Sequence, residues 1–236
     1  MLFEKIYSWT KDDACKYIID FYGNNWYCII NFLYFANIIS QDLIYDEDTN
    51  YYLSLLNSNF LLPDWIALRL FMKRQFWKEL NNLNWTDFLP FFLDKISYYN
   101  HKVFLYWADD DTLINAFDYL ISKWINVVYK HNWYGELNLD DISGYESDYK
   151  ILLIARWTPL QEERILKNKD FLIKNWFIVF WVWWLFDFWW WKEKRAPYFF
   201  RKMKLEWLYR LITNPKKNWR KVYNSFYLIK FLLFKI

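Results

Sequence analysis

An aspartate stands in this chain where a predicted strand gives way to a turn. Asp64 follows Pro63 at the end of the short predicted strand and turn Leu61–Trp65. A carboxylate in such a place can take the proton of a hydroxyl group that attacks another molecule. An aspartate in a turn can equally accept hydrogen bonds from its own backbone. On the residues alone, this turn interpretation is the better one.

Further polar residues precede or follow predicted elements. Thr86 and Asp87 can bind the hydroxyl groups of a sugar or nucleotide, and a helix cap explains them equally well. Gln161 follows a predicted helix start, with Thr158 as cap and Pro159 as first helical residue. It can therefore contact a substrate, complete the cap, or do both. His131 lies in a predicted loop, where a single histidine is more often solvated than bound to substrate.

Apolar runs alternate with helical patterns along the chain, which predicts a mostly parallel sheet. We expect an α/β, Rossmann-like fold with helices on both faces of the sheet, and ligands beyond the carboxyl ends of its strands. The predicted helices include Thr10–Gly23, Gln41–Asn59, Thr86–Tyr99 and Asp111–Lys123. The predicted strands are Tyr27–Phe35, Leu61–Trp65, Lys102–Tyr106, Asn126–Tyr129, Lys150–Ala155 and Phe177–Val182.

The charge of the chain is concentrated at its end. The net charge is only +3, but residues 192–236 contain 13 Lys or Arg against two Glu. We expect an α/β domain over residues 1–191 and a basic appendage over 192–236, with helices at Tyr198–Thr213 and Lys216–Phe234. Aromatic residues interleave with these charges, which suits an anionic membrane surface. Nucleic acid would need a similar footprint, but no nucleic-acid motif accompanies it, so we expect no nucleic-acid partner.

Other sequence features exclude common classes of protein. Cys15 and Cys28 are too few for a disulfide framework or a zinc site and are expected to be buried free thiols in a reducing compartment. The first residues lack the pattern of a signal peptide. The apolar run Trp176–Trp191 is short for a membrane span and contains Asp187.

Tryptophan is abundant and glycine scarce, with 18 and 3 residues, although glycine usually supplies about 7% of a chain. Trp65 follows Pro63-Asp64, where a turn favours glycine. Trp124 ends a predicted helix, where a left-handed glycine is common. These positions suggest that the source uses UGA as a glycine codon, and that these UGA codons were translated as tryptophan in the present sequence. The alternative is a genuinely tryptophan-rich protein.

With glycine at such positions, five segments in order resemble the WecG/TagA/CpsF glycosyltransferases. The resemblance covers roughly Cys28 to Tyr223, and the long last segment is the most specific. The segments are Leu62–Trp65, Asn84–Asp87, His131–Tyr134, Trp157–Glu162, and Phe186–Phe188 through Lys194–Pro197 to Leu205–Arg210.

The resemblance implies transfer of a sugar, typically N-acetylmannosamine, from a UDP-sugar to an undecaprenyl-diphosphate-linked acceptor in teichoic acid or surface polysaccharide synthesis. It implies an inverting reaction that uses no metal or other cofactor. It also implies a peripheral position on the cytoplasmic face of the membrane. The alternatives are the same fold acting on another UDP-hexose for a capsule precursor, and a non-catalytic peripheral membrane protein.

The resemblance also implies roles for single residues. Asp64 matches the proposed base, and Gln161 matches a substrate-contacting position. Asp187 matches an aspartate with a structural or nucleotide-contacting role. A polar contact after the first strand falls on Asn31, or on Tyr34 in the other register. The resemblance assigns diphosphate binding to the basic residues Arg195, Arg210, Lys217, Arg220 and Lys221.

This chain departs from the family pattern at several sites. Lys217 and Lys221 stand where arginine is usual, and Asn82 stands where many members have arginine. Trp207 and Trp219 match family tryptophans. Tryptophan replaces family glycines at positions 65, 85, 107, 133, 157, 181, 183, 184 and 191, and we add 77, 124 and 176 to this set, leaving Trp9, Trp26, Trp189 and Trp190 unassigned.

Overall fold

The fold is described from a computed structural model. The description covers residues 2–40, 43, 49–64, 66–106, 108–132, 139–155, 158–182, 185–186, 196–203, 205–216, 219, 223, 229–231 and 233–234.

Six parallel strands form one sheet in the order β2-β1-β6-β5-β3-β4. The prediction of an α/β, Rossmann-like fold with a parallel sheet is confirmed. The bounds of the strands agree closely with the predicted apolar runs. The strands are β1 (Cys28–Tyr34), β2 (Phe60–Asp64), β3 (His101–Tyr106), β4 (Val127–His131), β5 (Tyr149–Ile154) and β6 (Phe177–Trp181).

Helices cover both faces of this sheet, and the strands other than the edge strand β4 are almost wholly buried. Ile30 and Phe32 of β1 belong to the apolar core on one face, and Ile29 and Leu33 to the core on the other. After a 3-10 turn at Leu2–Lys5, the helices are α1 (Lys11–Asn25), α2 (Phe35–Ser40), α3 (Asn50–Leu56), α4 (Ile66–Phe76), α5 (Trp85–Ile96), α6 (Asp110–Ser122), α7 (Leu139–Ser143), α8 (Leu160–Lys167), α9 (Lys169–Lys174), α10 (Tyr198–Lys202) and α11 (Glu206–Thr213).

Local hydrogen bonds decide where the helices begin. Thr10 caps α1 as predicted, since its hydroxyl accepts from the Asp13 N–H and the Asp13 carboxylate accepts from the Thr10 N–H. The cap of α5 is Asn84 rather than Thr86. The start of α8 is also shifted, because Pro159 occupies the cap position and makes no side-chain cap bond.

Two predicted helices differ from the structure. The expected helix Gln41–Asn59 is α3, which spans only Asn50–Leu56; residues 41–42 and 44–48 lie outside the described residues. The expected helix Tyr198–Thr213 is divided into α10 and α11.

Four residues in the described part of the chain have left-handed backbone angles, and all four are tryptophans. Trp26, Trp77, Trp124 and Trp176 have φ values of 62, 56, 61 and 61°. A side chain at left-handed backbone angles costs roughly 1–2 kcal/mol, and glycine avoids this cost because it has no Cβ atom. Of the family-glycine set, Trp85 and Trp181 are described, and neither has a positive φ.

The end of the chain packs against the α/β core. The buried Phe231 ring lies 6.3 Å from the Phe35 ring and 5.5 Å from the Phe71 ring. The Gln75 amide donates to the Phe231 carbonyl and, at 2.7 Å, to the Phe234 carbonyl. The division at residue 191 stays a prediction. None of the described helices combines the length and the apolar character that crossing a bilayer requires.

Candidate functional site

The carboxyl end of β2 carries Asp64. Parallel pairing of β1 with β2 places Tyr34 opposite Asp64 at the last step of the ladder. The Asp64 residue is 9% exposed. It lies between the core and the carboxyl ends of the strands, where ligands are expected; this side of the sheet is called the ligand edge below. Alternation along β2 puts Asp64 on the same face as Phe60 and Leu62.

The beginning of α5 lies beside Asp64. The Leu83 N–H donates to the Pro63 carbonyl at 3.1 Å, which ties the residue before the helix cap to the residue before Asp64. A helix N-terminus carries partial positive charge from its free N–H groups and favours nearby anions. The fold therefore brings Asp64 and the Thr86-Asp87 pair into one region.

Thr86 and Asp87 both bind the Asn84 side chain. The Thr86 hydroxyl donates to Asn84 Oδ1 at 2.5 Å, and the Asp87 N–H donates to the same atom at 3.0 Å. Asn84 Nδ2 in turn donates to Asp87 Oδ2 at 2.9 Å. These bonds give both residues a structural role in the helix cap. Their predicted contact with substrate stays a prediction.

Asn31 lies away from Asp64. It pairs with Leu61, three residues before the strand ends, and by alternation it shares the face of Ile29 and Leu33. It is 1% exposed, and among the described residues its Nδ2 atom has no hydrogen-bond partner. Of the two registers considered for the contact after the first strand, Tyr34 is the residue beside Asp64.

A buried polar network joins the segments that follow β1 and β5. Asn37 Nδ2 donates to the Thr158 hydroxyl at 3.3 Å. That hydroxyl donates to Glu162 Oε1 at 3.0 Å, and Gln161 Nε2 donates to the same oxygen at 2.9 Å. The predicted site residue Gln161 is therefore held by its neighbour Glu162. Because β6 lies between β1 and β5, this network spans the central strand.

The Glu162 carboxyl group is almost fully buried, at 1% exposure. Burial raises its pKa from 4.5 to about 7, although the bonds from Gln161 and Thr158 oppose this shift. Its Oε2 atom has no partner among the described residues. The nearby Tyr51 is also buried, and burial, with a smaller contribution from Glu162, raises its pKa well above the usual value.

Trp181, the last residue of β6, lies at the middle of the ligand edge. It is 2% exposed, and its indole N–H has no partner in the described part of the chain. Its ring and Glu162 line a small cavity together with Ser54 and Lys169. The Glu162 network and the α5 group thus flank the carboxyl edge from opposite faces of the sheet.

His131 is the last residue of β4, at the far edge of the sheet, and not part of a loop as predicted. Its ring is parallel to the Tyr106 ring, with centroids 5.9 Å apart, and the Tyr106 hydroxyl accepts from Arg164 at 3.4 Å. β4 is five strands from β2, a separation of roughly 24 Å at about 4.8 Å per strand. His131 and Asp64 therefore cannot act on the same reacting atom, and a substrate contact by His131 stays a prediction.

Most of the predicted diphosphate-binding residues lie outside the described residues. Arg210 belongs to α11, and its side chain is outside the description. The predicted site residues Asp187, Arg195, Lys217, Arg220 and Lys221 lie outside the described residues.

Sequence reasoning missed Asn37 and Glu162 as members of the site. Glu162 is the third helical residue after the observed cap Pro159, whereas the predicted cap Thr158 put Gln161 at that position. Asn37 had no signal in the sequence, since its contact with Thr158 joins residues 121 positions apart.

The family model described as "Glycosyl transferase WecG/TagA/CpsF family" matches residues 4–236. The chain belongs to this family. The predicted resemblance is therefore confirmed over nearly the whole chain.

Curated relatives from Staphylococcus aureus match part of the chain. They include proteins of strains NCTC 8325 / PS 47, COL and MRSA252, each named N-acetylglucosaminyldiphosphoundecaprenol N-acetyl-beta-D-mannosaminyltransferase. Each is 29% identical over 130 residues, which is 52% of this chain and 49% of the relative. The matched segment thus spans about half the length of these relatives.

Glu162→Gln is expected to flatten the pH dependence of stability. The folded protein keeps the Glu162 proton up to about pH 7, whereas the unfolded chain releases it near 4.5. The contribution of this group is therefore complete below pH 4.5 and is lost as the pH rises to about 7. One such proton changes the free energy of unfolding by roughly 1.4 kcal/mol per pH unit.

Urea unfolding at a series of pH values measures this slope. Glu163→Gln, on the same helix but only partly buried, is the matched control and should keep the original slope. An unchanged slope in the Glu162→Gln protein would contradict the account of the buried carboxyl group.

Proposed function

We propose that this protein transfers N-acetylmannosamine from a UDP-sugar to an undecaprenyl-diphosphate-linked N-acetylglucosamine, in the synthesis of teichoic acid or another surface polysaccharide. Membership of a glycosyltransferase family and the activity for which the relatives are named support this substrate pair. The observation that carries the proposal is Asp64, a carboxylate at the ligand edge of a parallel sheet, beside a helix N-terminus.

The proposed chemistry is a single displacement that inverts the sugar carbon. The acceptor hydroxyl oxygen forms a bond to C1 of the donor sugar while the bond from C1 to the UDP oxygen breaks. Asp64 takes the hydroxyl proton as that bond forms. UDP leaves with the electron pair, and no metal ion takes part.

The leaving diphosphate needs positive groups. We assign this role to Arg195, Arg210, Lys217, Arg220 and Lys221. Arginine provides paired N–H donors that fit phosphate oxygens, and lysine provides a point charge. The partial positive charge at the start of α5 acts in the same direction.

Asp64→Asn is expected to lower kcat by about 10²–10⁴-fold, the usual contribution of a general base. The asparagine has nearly the same shape, so the KM for the donor should change little. Acceptor-dependent release of UDP measures both constants. Activity in the presence of a metal chelator, on the unsubstituted protein, tests the metal-free mechanism.

The matched control is Asp94→Asn, an exposed aspartate on α5, which should leave both constants unchanged. An Asp64→Asn protein with full activity would exclude Asp64 as the base. An unsubstituted protein that fails to transfer any UDP-sugar would favour the non-catalytic alternative. Transfer of a UDP-hexose in preference to UDP-N-acetylmannosamine would favour the capsule-precursor alternative.

The acceptor is a membrane lipid, so we also propose that residues 192–236 form an appendage that binds an anionic membrane at its cytoplasmic face. Exposed apolar side chains and lysines alternate there, a composition that suits the membrane interface. The exposed apolar residues are Tyr198, Phe199, Met203, Ile212, Trp219, Tyr223, Ile229, Leu233 and Phe234.

Replacing Leu233 and Phe234 by serine is expected to weaken binding to anionic vesicles at least several-fold, because each exposed apolar side chain contributes burial in the membrane interface. Co-sedimentation with phosphatidylglycerol vesicles measures the effect. Tyr98→Ser, which removes an exposed aromatic ring at the end of α5, is the control. Equal binding by all three proteins would contradict the membrane-facing assignment. Phe231 is kept, because it is part of the core.

A further inference from the structure

We propose that the polypeptide made in the source carries glycine at positions 26, 77, 124 and 176, because UGA is read there as glycine. This inference goes beyond the proposed function. It rests on backbone angles and on the contacts of these residues. All non-glycine residues with positive φ in the described part of the chain are these four tryptophans.

All four positions share one structural context, the end of a helix. Trp26 follows α1 and Trp77 follows α4 directly. Trp124 and Trp176 each stand one residue beyond the cap of α6 and α9. Helices very commonly end in a left-handed residue, which is usually glycine because a Cβ atom is crowded there. Tryptophan is among the residues least suited to this conformation.

Backbone atoms of Trp26, Trp124 and Trp176 make hydrogen bonds at these helix ends. The Trp26 N–H donates to the Tyr22 carbonyl, and the Trp124 N–H donates to the Ile121 carbonyl at 3.0 Å. The Trp176 carbonyl accepts from the Tyr22 hydroxyl at 3.1 Å. Glycine would preserve every one of these bonds.

The indoles gain little from the fold in return. The exposed fractions of Trp26, Trp77, Trp124 and Trp176 are 53, 76, 89 and 51%. The rings of Trp26 and Trp176 contact each other, with centroids 5.2 Å apart. Glycine at both positions would remove both rings and therefore this contact. The backbone at these positions thus favours a small residue, and at least half of each indole is exposed.

The two glycines in the described part of the chain stand where glycine is not needed. Gly23 and Gly144 both have ordinary φ values, and an added Cβ atom would meet nothing within 4 Å at either position. Tryptophan stands at the positions that need glycine, and the described glycines stand at positions that do not. A UGA codon read as glycine in the source explains the tryptophans at those positions.

Trp9 behaves as a genuine tryptophan. It stacks on Tyr7 at 4.0 Å and on Tyr17 at 4.7 Å, and its ring edge contacts Phe60. Its φ is not positive. The chain therefore has tryptophans of two kinds, those at left-handed helix ends and those packed against other rings, such as Trp9.

The same codon reading has a consequence at the ligand edge. A tryptophan stands within three residues of the carboxyl end of each strand from β2 to β6. Glycine after a strand allows backbone N–H groups to approach a phosphate. These tryptophans are identified from the sequence, and they lie outside the described residues: Trp65, Trp107, Trp133, Trp157 and Trp183.

Gene sequencing together with mass spectrometry of protein from the source tests the proposal. We expect TGA codons at positions 26, 77, 124 and 176 and a TGG codon at position 9. The tryptic peptides Trp124–Lys130 and Ile6–Lys11 should have the masses of glycine at 124 and tryptophan at 9. A TGG codon at any of the four positions, or tryptophan at 124 in the native peptide, would overturn the proposal.

A stability series on the recombinant chain tests the physical reason. Trp124→Gly should raise the thermal midpoint by several degrees, and Trp124→Ala should raise it less, because alanine keeps the Cβ atom. Trp9→Gly, the control, should lower the midpoint. If glycine and alanine at position 124 give the same midpoint, the left-handed backbone angle is not what destabilises the tryptophan form. That result would contradict the structural argument for glycine at this position.

Discussion

Parallel pairing between β1 and β2 is the constraint on which the candidate site depends. Its register sets Tyr34 opposite Asp64 and places Asn31 opposite Leu61. A slip of one residue would turn Asp64 to the other face and bring an apolar neighbour to the ligand edge. Side chains of both strands pack into the apolar cores on the two faces of the sheet, so a slip would misplace large apolar side chains. The position of the proposed base thus follows from the register of β1 and β2 and from the packing of the core.

The two faces of the sheet contribute different chemistry to this edge. One face provides Asp64 and the N-terminus of α5, where Asn84 orders the first turn. The other face provides the network of Asn37, Thr158 and Glu162, which fixes Gln161. Burial disfavours the charged form of Glu162 and raises its pKa to about 7. The hydrogen bonds of this network connect the segments after β1 and β5.

The sequence predicted the parts of the fold that local patterns determine. Apolar runs located the strands, and Thr10 and Asp13 located the start of α1. The start of α5 was displaced because Asn84, a neighbouring polar residue, forms the cap. The start of α8 was displaced by one residue, to follow Pro159, which makes no side-chain cap bond. Asn37 and the separation of His131 from Asp64 could not be predicted, since both depend on the order of strands in the sheet. The glycine-like tryptophans were visible in the composition, but Trp26 was recognised only by its backbone angle.

The central claim is that the chain moves a sugar onto a lipid diphosphate. A panel of UDP-sugars, each with and without a short-chain polyprenyl-diphosphate-N-acetylglucosamine, tests it most directly when the chain carries glycine at the tryptophan sites assigned to it. The account predicts UDP release and a disaccharide-lipid product only when both substrates are present, with UDP-N-acetylmannosamine as the preferred donor. Intact donors throughout the panel, or UDP release that does not depend on the acceptor, would contradict it.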